Sequence, residues 1–219
     1  MKIARFQLLL SATAYVSVSV LALMLQGCLE TALVVGAGTA AVSAVDRRTT
    51  GIQVDDEGIE LRSSNRVSER FGDKVHVNIT SYNRSVLVTG EVPNAAAKAE
   101  IEKMIQGVPG VRGVTNDLQV ADGTSLSSRA NDSTITGKVK ARLFDAGKVN
   151  PIHVKVITEN AVVYLLGIVT EAEANAAVEV ARTTGGVRKV VKVFDYCKPT
   201  DAACASSQPK AAEPKKSGS

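Results

Sequence analysis

The chain has 219 residues, of which 45% are hydrophobic, 22% charged and 4% aromatic, with no Trp. That composition excludes a wholly disordered chain and a disulfide-rich miniprotein. A formal charge of +4 with so few aromatics provides neither the basic surface nor the stacking platform of a dedicated nucleic-acid binder, so no nucleic-acid partner is expected.

In chain order, the first feature is an address. Lys2 and Arg5 precede an apolar run from Phe6 to Leu25 that ends in Leu25-Gln26-Gly27-Cys28. A charged start, an apolar stretch and small residues at its end mark an export signal. The run is also close to the length of a membrane-spanning helix, so a retained anchor is the alternative. Leu-Gln-Gly-Cys resembles the bacterial lipobox, which implies a diacylglyceryl thioether on Cys28, cleavage before it, and residues 28–219 as the mature protein. Leu29 rather than Asp after the Cys implies, by the same resemblance, transfer to the outer membrane. No other cofactor is expected. Gly36-Ala37-Gly38-Thr39-Ala40-Ala41 matches a dinucleotide-binding fingerprint, but too few residues precede it for a βαβ unit, so it is taken as a small-residue tether.

An internal repeat follows. Val86–Val92 aligns with Val163–Val169 at an offset of 77, as does Val75–Ile79 with Ile152–Val156; Pro109–Val114 aligns with Gly185–Val190 at 76. Val67-Ser68-Glu69-Arg70 aligns with Val139-Lys140-Ala141-Arg142 at 72, which places about five extra residues in the second copy, around Lys148–Pro151. Each copy reads as α-β-β-α-β. Asp55/Asp56 or Asp132/Ser133 is expected to cap the first helix, and Gly72 or Gly147 to end it. An alternating strand turns Val75, Val77 and Ile79 one way and His76, Asn78 and Thr80 the other. Turns at 81–84 and 159–160 lead to a more uniformly apolar strand broken by Gly90 or Gly167. A second helix spans about 94–106 or 171–183, and a last strand 111–120 or 187–194. The fold class is α+β, with the helices of each copy on one face of a three-stranded mixed sheet.

The segments Val88-Thr89-Gly90-Glu91-Val92 and Leu166-Gly167-Ile168-Val169, the helix after each, and Gly110–Val114 and Gly186–Val190 resemble the BON domain, a periplasmic binding module. Two such units behind a lipobox resemble the dual-BON outer-membrane lipoproteins of Gram-negative bacteria, and Asp46-Arg47-Arg48-Thr49-Thr50-Gly51 resembles the segment those proteins carry before their first domain. The expected organisation is a signal peptide (1–27), a lipidated tether (28–51), BON domain 1 (52–121), a linker (122–129), BON domain 2 (130–196) and a disordered Cys-containing tail (197–219). The resemblance implies no catalysis. It implies an anionic phospholipid such as phosphatidylglycerol as partner of the second domain, support of outer-membrane integrity, and action at division sites.

Charge points to the same domain independently. Residues 52–121 hold eight Lys/Arg and ten Asp/Glu, net −2; residues 130–196 hold nine and seven, net +2. In the first helices, 55–72 is net −2 with three basic and five acidic residues, and 131–148 is net +2 with four and two. Each basic residue near an anionic surface contributes about 1 kcal/mol. Residues 131–149 are therefore the candidate lipid patch, with Ile135, Lys138, Val139, Lys140, Arg142, Leu143, Phe144 and Lys148 as its members. Ile135, Val139 and Leu143 share one stripe suited to the sheet; Phe144 is either a core residue or a headgroup contact. The lipid-binding relatives can carry an aromatic anchor in the first turn of this helix, where this chain has Thr134.

His76 and His153 share a repeat position but are expected to face solvent, without the further ligands a metal needs. Cys197 and Cys204, in an oxidising compartment, form either a tail disulfide or two free or intermolecular thiols. A second class of function is a protein-interaction module or chaperone that offers sheet edges to partner strands, for example to the outer-membrane assembly machinery.

Overall fold

The structure is a computed structural model of the chain and describes residues 46–121 and 126–205. The expected signal peptide, Cys28, the Gly36–Ala41 motif and the end of the tail lie outside the described residues. Both repeats belong to one compact unit.

Thr49 opens helix α1 (Thr50–Phe71), its hydroxyl accepting the Ile52 N–H at 3.3 Å. A single-turn 3₁₀ segment (Gly72–Lys74) leads to β1 (His76–Tyr82), which pairs antiparallel with β2 (Ser85–Val92). Asn94 caps α2 (Ala95–Gln106). The third strand is interrupted: β3 (Gly113–Asn116) and β4 (Gln119–Val120) both run parallel to β2. Between them Leu118 drops into the core while the Asp117 carboxylate accepts the Tyr164 hydroxyl at 2.7 Å. The second repeat contains α3 (Leu126–Ala146), a 3₁₀ turn (Pro151–His153), β5 (Lys155–Glu159), β6 (Val162–Val169), α4 (Glu171–Arg182) and an unbroken β7 (Lys189–Tyr196). Its sheet order is β5-β6-β7, with β6 antiparallel to β5 and parallel to β7. A capping box formed by Thr170 and Glu173 starts α4.

Several boundaries differ from the sequence reading. Helix α3 takes in residues 126–129, the end of the expected linker, and α1 starts two residues before the expected domain. The expected tail is ordered as far as a short helix α5 (Ala202–Ala205).

The aspartates expected to cap the first helices do something else. Asp56, buried inside α1, accepts the backbone N–H groups of Asn83 and Arg84 at 2.8 and 2.7 Å and the Ser81 hydroxyl at 2.6 Å. Asp132 in α3 accepts Asn160 and Ala161 N–H, both at 2.8 Å. Each carboxylate thus staples the two-residue hairpin that follows, whose central residues all have positive φ, from 48° to 64°, as a type I′ turn requires.

These staples fix the true helix alignment at an offset of 76. Ile59 and Ile135 are both buried, against Gly110 and Gly186. Arg66 donates to the Met104 carbonyl as Arg142 does to that of Val180. The offset of 72 is one helical turn away, and an amphipathic pattern nearly superimposes on itself after four residues. The five-residue insertion therefore dissolves; two residues separate the copies between Gly72 and His76 and between Gly147 and His153.

Each sheet buries one face under its own helices. Val86, Val88 and Val92 of β2 meet Ile59, Val67, Ile101 and Ile105; Val163, Leu165 and Val169 of β6 meet Ile135, Val139, Leu143 and the alanines of α4. The opposite faces pack on each other. Tyr82 and Leu87 of the first domain join Tyr164, Leu166, Ile168, Val191 and Val193 of the second in a third apolar cluster. This explains the uniformly apolar second strands, which are buried on both faces rather than one.

Candidate functional site

The predicted patch on α3 divides into parts with different surroundings. Ile135, Val139 and Leu143 are 1%, 0% and 0% exposed in the second-domain core and have no surface to offer a ligand. They are corrected from lipid contacts to core. Arg142 is engaged at the end of α4: its guanidinium donates to the Val180 carbonyl at 3.1 Å and to the Thr184 and Thr183 hydroxyls at 2.7 and 3.0 Å. It ties α3 to the carbonyl end of α4, a favourable place for a cation. Lys138, Lys140, Phe144 and Lys148 are exposed, Phe144 at 75%. Phe144 is thus a surface residue, one of the two readings the sequence left open. Thr134 sits more than two turns into α3 rather than in its first turn, donating its hydroxyl to the Ala130 carbonyl at 3.0 Å.

Lys138 and Lys140 do not share a face. Two residues along a helix turn the side chain by about 200°. Lys140 lies on a stripe with Arg129, Ser133, Thr136 and Phe144, spaced by three or four residues. Arg129, Ser133, Thr136 and Lys140 of this stripe, but not Phe144, border a groove of about 710 Å³ between the domains, whose other walls include His76, Asn78, Ile79 and Thr80 of β1 and Val156, Ile157, Thr158 and Glu159 of β5. Asn78 closes the groove floor by donating to Glu159 at 2.7 Å, and Thr136 donates to the Thr158 hydroxyl at 2.7 Å. Burial pushes the Glu159 carboxyl above its usual range; the Asn78 hydrogen bond acts against this, and the charges of Glu91 and Asp132 add to it.

His76 and His153, expected to face solvent together, part company. His76 is half-buried at the groove edge, whereas His153 ends the 3₁₀ turn at 1% exposure. The strand alternation does not reach His153 because β5 begins two residues later. Among the described residues no three His, Cys, Asp or Glu are placed to hold a metal. Cys197 and Cys204 are paired as a disulfide with a Cα–Cα distance of 6.4 Å.

The residues that sequence reasoning missed are Arg47 and Arg48. Arg47 has a side chain only 2% exposed; it donates to both Glu173 oxygens at 2.8 Å and to the Ile168 carbonyl at 2.7 Å, all in the second domain. Arg48 pairs with Asp46 at 2.8 Å and Asp56 at 3.0 Å and lies 4.0 Å above the Tyr82 ring, in the first. The end of the expected tether is therefore a clamp across the domain pair. Burial alone raises the Glu173 carboxyl, but hydrogen bonds from Arg47 and Thr170 outweigh it and hold the group at about 2. Burial and the Asp46 charge push the Tyr82 hydroxyl up to about 12. Two adjacent arginines after an aspartate were the available signal; the Arg47 partners Ile168 and Glu173 lie more than 100 residues away and no local pattern names them.

The BON domain family model matches residues 55–122 and 131–198. The chain is 43% identical over 176 residues to the outer membrane lipoprotein DolP of Haemophilus influenzae, covering 80% of this chain and 91% of that one. It is 36% identical over 154 residues to a 21 kDa hemolysin of Actinobacillus pleuropneumoniae, covering 69% and 79%, and 32% identical over 117 residues to the osmotically-inducible protein Y of Escherichia coli, covering 52% and 58%. With two domain matches on two α-β-β-α-β units, and the DolP similarity spanning most of both chains, this protein belongs to the dual BON-domain outer-membrane lipoproteins.

Proposed function

We propose that this lipoprotein binds anionic phospholipid through α3 of its second domain, and that this contact supports the integrity of the outer membrane, division sites included. The observation that carries the reading is the exposed set Lys138, Lys140, Phe144 and Lys148, left outside after the apolar stripe of the same helix is used up in the core. An apolar ring with basic neighbours suits an interface where one side is hydrocarbon and the other anionic headgroup. At the aligned positions α1 carries Arg62, Ser64 and Ser68, so the first domain lacks the combination. In this reading Cys28 carries the covalent lipid and holds the domains near the bilayer; one contact of this size binds weakly and a second anchor makes it persistent.

The test uses residues 28–219 with Cys28→Ser, which cannot be acylated. It is expected to float with vesicles containing phosphatidylglycerol in a salt-sensitive way, and K138E with K140E together is expected to lower binding at least tenfold. Unchanged binding by a folded double variant overturns the reading. Absence of flotation beside co-purification of an envelope protein would move the function to protein interaction.

A further inference from the structure

Three of the sheet edges are guarded against pairing. In the first domain the last strand is interrupted at Asp117 and Leu118, so β3 and β4 offer no continuous edge. The β1 edge is blocked where Glu60 of α1 accepts the Ser81 N–H at 2.7 Å. In the second domain β7 carries exposed Lys189 and Lys192, charges of the kind that keep edge strands apart. The β5 edge has none of these devices. Glu159 and Val162 close its two-residue hairpin as a hydrogen-bonded pair, so Ile157 and Lys155 also turn their backbone groups to β6, while Val156 and Thr158 turn theirs away. The same rule turns Ser81 outward in the first domain, where Glu60 meets it. Thr136 stands at the position of Glu60, and its shorter side chain donates to the Thr158 hydroxyl instead. Val156, Ile157, Thr158 and Glu159 border the groove between the domains consecutively, as a strand does when it presents its edge rather than one face.

We propose that the β5 edge takes up an extended acidic peptide segment as a fourth strand, a second binding function separate from the lipid contact. The backbone of Val156 and Thr158 offers hydrogen bonds at the spacing a strand supplies. Arg129 and Lys140, eleven residues apart on α3, border the same groove about 16 Å apart along the helix. A strand of five residues is about 17 Å long. Among the described residues neither cation is within ion-pair distance of a carboxylate, so both can take an acidic side chain. The first, third and fifth side chains of the added strand turn toward α3, which places acids at its two ends. The second and fourth turn toward Asn78 and Thr80 of β1, which suits small hydroxyl residues.

The probe is the peptide Ac-ETTTE-NH2, and the protein is residues 28–219 with Cys28→Ser, without lipid. Millimolar peptide is expected to shift the Val156 and Thr158 amide resonances. T136E restores the arrangement that guards β1 and is expected to weaken binding at least tenfold. T158P removes an outward N–H without breaking the β6 ladder and is expected to do the same, so the test does not hang on one variant folding. Methylating alternate backbone nitrogens of the peptide gives two frames. Binding is expected to be lost in one and kept in the other, because only alternate residues of an added strand face β5. Equal binding in both frames, or undiminished binding by folded T136E or T158P, overturns strand addition. No shift in the parent protein overturns the site. A peptide-free dimer that T136E dissolves would put a second copy on this edge and overturn the peptide assignment.

Discussion

The two repeats have the same skeleton and opposite surfaces. Aligned at 76, the groove-side stripe of α3 reads Arg129, Ser133, Thr136, Lys140, Phe144; the same positions of α1 read Gln53, Glu57, Glu60, Ser64, Ser68. What is shared is what the fold requires: a buried aspartate for the hairpin, an isoleucine under it, and an arginine on the carbonyls of the next helix. What differs is placed outward. Glu60 of the first stripe accepts the Ser81 N–H at 2.7 Å and the Lys155 ammonium at 3.3 Å, so that position serves the fold and the domain contact. Thr136, its counterpart, lines the groove. Divergence between the copies is thus visible in single side chains: the position that serves the domain contact in the first lines a groove in the second.

The skeleton breaks first at its glycines. A Cβ at Gly90 would collide with the His76 carbonyl oxygen, and one at Gly167 with that of His153. Gly90 also sits at φ 115°, a conformation side chains resist, whereas Gly167 lies outside that region. G90A is therefore expected to be the more damaging of the pair, by about 3 kcal/mol or more, with G167A somewhat less. Denaturant unfolding of both variants checks the order; equal small effects would mean that the backbones give way easily.

The staples come next. D56A removes the acceptor of two backbone N–H groups, a buried hydroxyl and the Arg48 guanidinium, and D132A that of two N–H groups. At about 1–3 kcal/mol for each buried donor left unpaired, D56A is expected to cost about 4 kcal/mol and D132A about 2 to 3. A reversed order would place more of the domain contact on the second copy than the hydrogen bonds indicate.

The clamp joins the copies and titrates. The Glu173 carboxyl is held at about 2, below its value in an unfolded chain near 4.3. A depressed carboxyl contributes stability that is complete above the unfolded value and lost as pH falls through the folded one. The parent protein is expected to lose stability from about pH 4.5 down to about 2, and R47A to lose part of that slope because its Glu173 no longer has the guanidinium. Parallel pH profiles for parent and R47A would show that Arg47 does not set the Glu173 charge.

Much of this was legible in the chain. The alternation of β1, the doubly apolar β2 and β6 and the glycines after them set out the repeat, because strand period and turn chemistry are local. The core stripe of Ile135, Val139 and Leu143 was equally plain. Three things were not. The register between α1 and α3 slipped by one turn, since an amphipathic helix looks alike after four residues and only tertiary partners such as Gly110 and Gly186 break the tie. Asp56 and Asp132 read as caps because a buried carboxylate and a capping one look the same before a helix. The domain contact was hidden because the apolar residues Leu87, Tyr164 and Leu166 on the second face signal burial without naming what buries them.

The smallest stability effect belongs to a residue whose loss is expected to show in binding instead. Phe144 is 75% exposed, so F144A removes little buried area and is expected to leave stability within about 0.5 kcal/mol of the parent. Its loss is expected to weaken phosphatidylglycerol vesicle binding several-fold, because the ring is the one large apolar group on the outer part of the α3 stripe. The aligned change in the first domain, S68F, places the same ring beside Glu69 on a helix of net negative charge and is expected to add no binding. If S68F gains binding as readily as F144A loses it, exposed aromatic area alone accounts for membrane contact and the charge difference between the copies does not. If F144A binds like the parent while K140E does not, the contact is electrostatic and the ring is incidental. Stability measured alongside keeps these outcomes separate, since neither position touches the core whose two versions are otherwise so nearly alike.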